Sequence, residues 1–358
     1  MDHLSVGQDE PIIPVPDLAR DFWARIAETF HGALNFDPQW FIENDHSITW
    51  WPNFLSQTIE AETFFMQGEN PHTDITVRVT VTTPICLYTD QEWADTVCHG
   101  ENTFIPYGAF VARDGLLKLT ASAVISPLNF EMTQLLHEIA LVHIASATKL
   151  AYHLTDTNKE AVTVATSEHP ESGARAIPDE LARLFLSDHL SRSHLFDEEM
   201  EGAIRESLPL VKAWFLDNGY TSGWEGDDVF FVDHPHLNWG IGLGFPLVKE
   251  FPERYGPGLQ IMSSILHGVP EPEIRDWCND LNLRVLDEQN SSQLGPIYGV
   301  LDSGDIYIRC YLGAFFLRKR LDSSHEALVV AATNAMIHMV ATVMRLSDEI
   351  GIAPSPHK

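Results

Sequence analysis

Basic residues are scarce: 22 Lys and Arg stand against 51 Asp and Glu, a formal net charge of −29 over 358 residues. A surface of that sign repels phosphate backbones and anionic lipid, so nucleic acid and membrane surfaces are disfavoured as partners. Basic or amphipathic polypeptides suit it better, although acidity also serves solubility alone. Cysteine is equally sparse. Cys86, Cys98, Cys278 and Cys310 show no CxxC spacing, and three of them fall in stretches that read as apolar strand or helix faces, where a reduced thiol packs as a small hydrophobe. No apolar run reaches spanning length, and no basic N-terminal region precedes an apolar one. A cytoplasmic protein with reduced thiols is therefore expected.

Catalytic and ligand signatures are missing too. There is no GxSxG elbow and no Walker A run. His137-Glu138 with His143 resembles a zincin fragment, but position 141 is Leu, and His143 lies about 240° round the helix from His137, on a different face. Gly240, Gly242 and Gly244 give GxGxG within strand-like residues before Pro246, with no helix opening after them, so the dinucleotide fingerprint fails in context. His234-Pro235-His236 beside Asp233 reads as a loop, and Glu225, Asp227 and Asp228 lack the EF-hand ligand order. No catalytic residue, cofactor or metal is assigned.

What the sequence does contain is an apolar fraction of 44% with 10% aromatics, enough for two folded domains with their own cores. A hairpin-and-helix unit occurs twice. One version runs Tyr107-Gly108, a strand, the Asp114-Gly115 turn, an alternating strand to Ala121, then an apolar helix from about Asn129. The other runs Tyr298-Gly299, a strand, a turn over Asp302–Asp305, an alternating strand to Leu312, then an apolar helix from about His325. Around them each half reads as helix, three strands, short helix, two strands, long helix.

In the first half these are a helix at Leu18–Leu34, strands at Ile48–Trp51, Gln57–Met66 and Asp74–Val81, and a short helix at Thr89–Cys98 capped by Thr89 or Asp90. Asp74–Val81 alternates cleanly, Ile75, Val77, Val79 and Val81 against Thr76, Arg78 and Thr80, which predicts a half-buried antiparallel strand. The second half has a helix at Ile204–Leu216, strands at Asp228–Val232, Asn238–Phe245 and Leu259–Leu266, and a short helix at Pro270–Leu281. The expected organisation is a loose arm at 1–17, an α+β domain at 18–154, a linker with one amphipathic helix at 155–204, a second α+β domain at 205–348 and a tail at 349–358.

Trp277-Cys278-Asn279-Asp280-Leu281-Asn282, ahead of the Gly299-to-Arg309 hairpin and a long terminal helix, resembles the YbjN-like family, which shares the fold of type III secretion chaperones. The resemblance is best over residues 205–348; the first half lacks the Cys-Asn-x-Leu-Asn run. It implies one twisted antiparallel sheet per copy with helices on one face, and a chaperone-like or regulatory role without catalysis. Relatives of this fold commonly dimerise, so the expectation is a monomer with an intramolecular pseudo-dimer, or a homodimer.

For a polypeptide partner the candidate surface is Trp50, Trp51, Trp239, Gly242 and Gly244. Trp50 and Trp51 are adjacent on a strand, so one of them points away from its own core. Tryptophan is enriched at binding hot spots, and alternating glycines leave a sheet bare enough for another backbone to approach. Packing under a helix or against the other domain is the plainer account of the tryptophans. A structural subunit, or an enzyme with a site between the halves using His99, His137, Asp233 or His267, are the rival readings.

Overall fold

Apolar residues at helical spacing after Pro16 form α1 (Pro16–Leu34), with Phe22, Trp23, Ile26, Phe30 and Leu34 buried along one face. The computed structural model describes residues 16–66, 75–103, 105, 107–157, 162–179, 197–217, 221–225, 229–233, 247–248, 258–265, 277–278, 281–282, 297–300 and 306–349. After α1 come β1 (Phe41–Asn44), β2 (Ser47–Trp50), β3 (Gln57–Met66) and β4 (Ile75–Tyr88). Helix α2 (Gln91–Asn102) follows, begun by Asp90, whose carboxylate accepts the Trp93 N–H at 3.1 Å. The hairpin β5 (Ala109–Arg113) and β6 (Leu116–Ile125) turns through Asp114 and Gly115, at φ 54° and 77°, the left-handed pair that a two-residue hairpin loop requires. A 3₁₀ turn at Pro127–Asn129 leads into α3 (Met132–Thr157), and β7 (Val162–Val164) ends this half.

These strands make one antiparallel sheet in the order β1-β2-β3-β4-β6-β5, with β7 paired to β4. Ile75, Val77, Val79 and Val81 of β4 join Leu135, Leu136 and Ile139 of α3 in the core, as the alternation predicts. Its other face departs from the half-buried expectation, because Thr76, Arg78 and Thr80 are buried too. Across that face the register aligns Thr49, Thr58, Thr82 and Thr120 in one row over four strands, with hydroxyl contacts of 3.0 Å and 3.2 Å.

The C-terminal half runs α4 (Glu198–Asp217), β8 (Thr221–Glu225), β9 (Val229–Asp233), β10 (Leu247–Val248), β11 (Gly258–Ile265), helical residues at 277–278 and 281–282, β12 (Ile297–Val300), β13 (Ile306–Gly313), α5 (Ala314–Ser323) and α6 (His325–Glu349). β8 and β9 form a hairpin, and the second sheet has the order β10-β11-β13-β12. The fold is mixed α+β with antiparallel sheets. Strands β1, β7, β8 and β10 and helix α5 add to the elements expected from sequence. The strand expected at Asn238–Phe245 lies outside the described residues, as do nearly all of the helix expected at 178–195, most of the arm at 1–17 and, from residue 350, the tail.

The order β4-β6-β5 with α2 between β4 and β5 recurs as β11-β13-β12 with the helical residues 277–278 and 281–282 between β11 and β12. One contact recurs with it. The Asn102 amide donates to the Phe110 carbonyl at 3.0 Å and accepts the Phe110 N–H at 2.6 Å; Asn282 does the same to Tyr298, at 3.0 Å and 2.9 Å. Each carboxamide pairs with its edge strand as a neighbouring peptide would, covering polar groups that an edge leaves open. This pairing matches Phe110 with Tyr298, so the two Tyr-Gly pairs are not equivalent positions, a correction to the sequence reading. Tyr107-Gly108 precedes β5, with Gly108 at φ 67°, whereas Tyr298-Gly299 lies inside β12.

The two halves do not keep separate cores. Phe30, Val79 and Leu135 share one apolar cluster with Leu259, Ile308 and Leu328, and a second cluster joins Phe110 and Ile144 to Ile297 and Tyr307.

Candidate functional site

Among the described residues, polar side chains gather at the seam between the halves and at the end of the first sheet around Trp51. At the seam, α2 ends with carbonyls that no further turn can satisfy. Arg309 of β13, 4% exposed, reaches across and donates to the carbonyls of Asn102 and Thr103, each at 2.8 Å, and of Ile105. A guanidinium also suits the negative end of a helix.

In the other direction, Glu138 of α3 accepts the Phe316 N–H at 3.1 Å, in the first turn of α5, whose N-cap Gly313 has no side chain to offer. The Tyr107 hydroxyl accepts the Gly313 N–H at 2.7 Å and hydrogen-bonds Glu138. Burial, reinforced by that carboxylate, holds the Tyr107 phenol well above its ordinary range. A Cβ at Gly313 would collide with both the Glu138 carboxylate and the Tyr107 oxygen, so this close approach requires glycine.

His143 is fully buried, its Nε2 3.0 Å from the Tyr107 carbonyl, and burial lowers its pKa to about 4 against a weaker upward pull from that bond. His137 faces α1 instead: its Nε2 is 3.1 Å from Thr29 Oγ1, its ring meets Phe30 edge-on at 4.6 Å, and burial followed by Lys319 lowers its pKa to about 3. The two rings serve different neighbours, as the 240° separation requires. All four cysteines are free and buried. Burial pushes the Cys86, Cys278 and Cys310 thiols up to about 12 and Cys98 well above its usual value, away from the thiolate that acts as a nucleophile. Between α2 and the second half a narrow cleft, with room for about one water molecule, is lined by Asp95, Cys98, His99, Asn102, Cys278, Asn282, Tyr298 and Gly299.

The tryptophan pair divides, Trp50 at the end of β2 and Trp51 just past it, but neither ring forms the open surface expected of it. Trp50 is 1% exposed, inside the core beside Phe36, and its Nε1–H donates to Gln57 Oε1 at 2.9 Å. Gln57 in turn donates to Thr83 Oγ1 and the Ala140 carbonyl, each at 2.9 Å, so the indole nitrogen belongs to a satisfied buried network. Trp51 points the other way and is still only 5% exposed, because the chain's own residues 165–179 cross over it. Its Nε1–H donates to Ser167 Oγ at 3.2 Å, and the His169 ring stands edge-on to it at 4.8 Å. Trp239, Gly242 and Gly244 lie outside the described residues.

The crossing segment is built around two side chains. His169 accepts the Glu171 and Ser172 N–H groups on Nδ1, at 3.2 Å and 3.1 Å, while its backbone pairs with Gly173. Arg175 donates to the Trp51 carbonyl at 2.7 Å, lies 3.3 Å from Asp37 and 3.4 Å from Asp179, and stacks over the Trp40 ring at 5.1 Å. Sequence reading treats residues 155–204 as a connection, and so misses His169 and Arg175; it also assigns no role to Asp37, in the turn after α1. The signal available was the β-branched run Val162-Thr163-Val164, which forms β7. At the seam it misses Asn102, Asn282, Tyr107, Glu138 and Arg309. There the available signal was the Cys-x-x-x-Asn spacing shared by Cys98–Asn102 and Cys278–Asn282.

Comparison with family models, with curated proteins and with solved structures found no match in any of the three. Among the described residues no helix is long and apolar enough to cross a membrane.

Proposed function

We propose that the chain is a non-catalytic, cytoplasmic polypeptide-binding protein, chaperone-like or a regulatory adaptor, in the manner that its resemblance to the YbjN-like family implies. In this reading the two halves are diverged copies of one α+β unit, docked as an intramolecular pseudo-dimer. The observation that carries it is how the chemically able side chains are used. Tyr107, Glu138 and Arg309 hold the halves together, His143 supports Tyr107, and the thiols are buried with raised pKa values. Among the described residues, the acidic exterior and the sheet edges suit capture of an extended or amphipathic segment.

Brief cross-linking in cells, recovery of the protein and identification of bound chains by mass spectrometry tests the reading. One or a few polypeptides at near-equal stoichiometry are expected; a reproducibly partnerless protein counts against it. The second reading is an enzyme with a site between the halves, where His99, Asp95, Cys98 and Cys278 line a narrow cleft. Stoichiometric metal, flavin or nucleotide in the purified protein would move the assignment there.

A further inference from the structure

Residues 162–179 sit on the N-terminal sheet as a separate strand-adding peptide would. β3 pairs with β4 only over Ile75–Thr82, and β7 takes β4 beyond it, at Cys86–Tyr88. Past β7 the segment is held by backbone bonds, Ala165 N–H to the Ile85 carbonyl at 2.9 Å, Ser167 N–H to Phe54 at 3.1 Å and Asp179 N–H to Pro52 at 2.6 Å. Such bonds are indifferent to side-chain identity, which is how sheet edges accept peptides in trans. His169 and Asp179 are the segment's only buried residues, and most of the others face solvent. Side-chain selection rests on two anchors: a ring against Trp51, and a guanidinium held by Asp37 and the face of Trp40.

We infer that the β4 edge and the Trp40–Trp51 ledge form a polypeptide groove that the chain fills with its own residues 162–179. The partner that replaces them is an extended segment carrying an aromatic or imidazole ring and, six positions on, an arginine. The inference rests on the polypeptide-binding reading and locates its surface. Charge complementarity supports the occupant: the arginine site pairs a carboxylate with an indole face, on a chain of net charge −29 that draws basic segments in. While the internal segment is seated it competes at high effective concentration, so the groove opens only to a segment that outbids a tethered rival.

The test is a fluorescent peptide with the sequence of residues 162–179, titrated into the full wild-type chain and into Arg175→Ala, with a scrambled peptide as control. The peptide is expected to bind the variant at least roughly ten-fold more tightly than wild type, because the tethered competitor is weakened. Equal affinity for both, or no binding to a variant whose melting curve shows it folded, overturns the groove. Hydrogen exchange on the wild-type chain gives a readout independent of any variant. The Ala165, Ser167 and Gly173 amides are expected to exchange through local opening, well ahead of the β4 and β6 amides. Exchange of all of them at one common rate overturns the proposal. Peptide binding with no polypeptide cross-linked in cells supports the groove and counts against the proposed function. A cellular partner cross-linked elsewhere, with the peptide unbound, does the reverse.

Discussion

Replacing Asn102 by Ala tests whether the edge-strand clamp holds the fold. The side chain makes two short hydrogen bonds to one residue of β5, 2.6 Å to the Phe110 nitrogen and 3.0 Å to its oxygen. Each neutral hydrogen bond contributes about 1 kcal/mol net, but a buried backbone group left without a partner costs about 1–3 kcal/mol, so two orphaned groups could cost about 2–6 kcal/mol. Asn102 lines the open cleft, however, and a water entering there can restore part of the loss. The lower part of the range, about 2–3 kcal/mol, is therefore expected. Asn282→Ala should cost about the same, because it makes the same pair of bonds beside the same cleft. Urea unfolding followed by circular dichroism reads both as shifts of the midpoint at constant slope. A cost below about 0.5 kcal/mol for either variant would mean that the clamp is incidental to packing.

Trp50→Ala should destabilise by about 3–5 kcal/mol, from a large core cavity and the unpaired Gln57 oxygen, in the same urea assay. Gly313→Ala should cost about 1–3 kcal/mol, since its methyl meets the Glu138 carboxylate and the Tyr107 oxygen; the melting temperature will show it. His137 and His143 have folded pKa values lowered to about 3 and about 4, from an unfolded value near 6.5. Below pH 6.5 the unfolded chain binds protons that the fold refuses, so their stability is complete above that pH and falls as the pH drops toward 4. His143→Gln can still donate to the Tyr107 carbonyl and should flatten the fall between pH 6.5 and 4, measured by urea midpoints at several pH values. The four thiols should resist a thiol reagent in the native protein and react fully once it is unfolded, as absorbance of the released chromophore reports.

What sequence reading recovered is what local pattern encodes. The helical spacing of α1, the Asp90 cap and the Asp114-Gly115 turn each depend on neighbours a few residues away and form as expected; β4 keeps its apolar face in the core, but its other face is buried as well. Strand β1 escaped because four residues with Glu43 and Asn44 exposed at an edge carry no alternation. Helix α5 escaped because Phe315, Phe316 and Leu317 continue the apolar run of β13, and nothing at Gly313 looks like a side-chain cap. Its cap comes from Glu138, far away in sequence, and a cap supplied in that way leaves no local trace. The same holds for Asn102, which reads alike whether it is solvated or clamped to a strand. Trp51 shows the limit from the other side. The sequence shows that one of the adjacent pair leaves the core, but not that it is Trp51, nor that a segment more than a hundred residues later covers it.

The seam also explains why two halves with one strand order can look so different in sequence. Aligning them on their clamps pairs Phe110 with Tyr298 and, through the strand register, Leu119 with Ile308 and Thr120 with Arg309. The paired positions do different work. Thr120 meets Thr82 across the first sheet, while Arg309 leaves its own sheet to satisfy the end of α2 in the other half. The exchange in return is made by Glu138 at the start of α5, where the first half has only the 3₁₀ turn Pro127–Asn129. In these two contacts a cation from one half meets a helix C-terminus, and an anion from the other meets a helix N-terminus, each on the favourable side of its dipole, while the equivalent residues Cys98 and Cys278, and Asn102 and Asn282, line one cleft. Such a junction matches each charged side chain to the helix end that it serves.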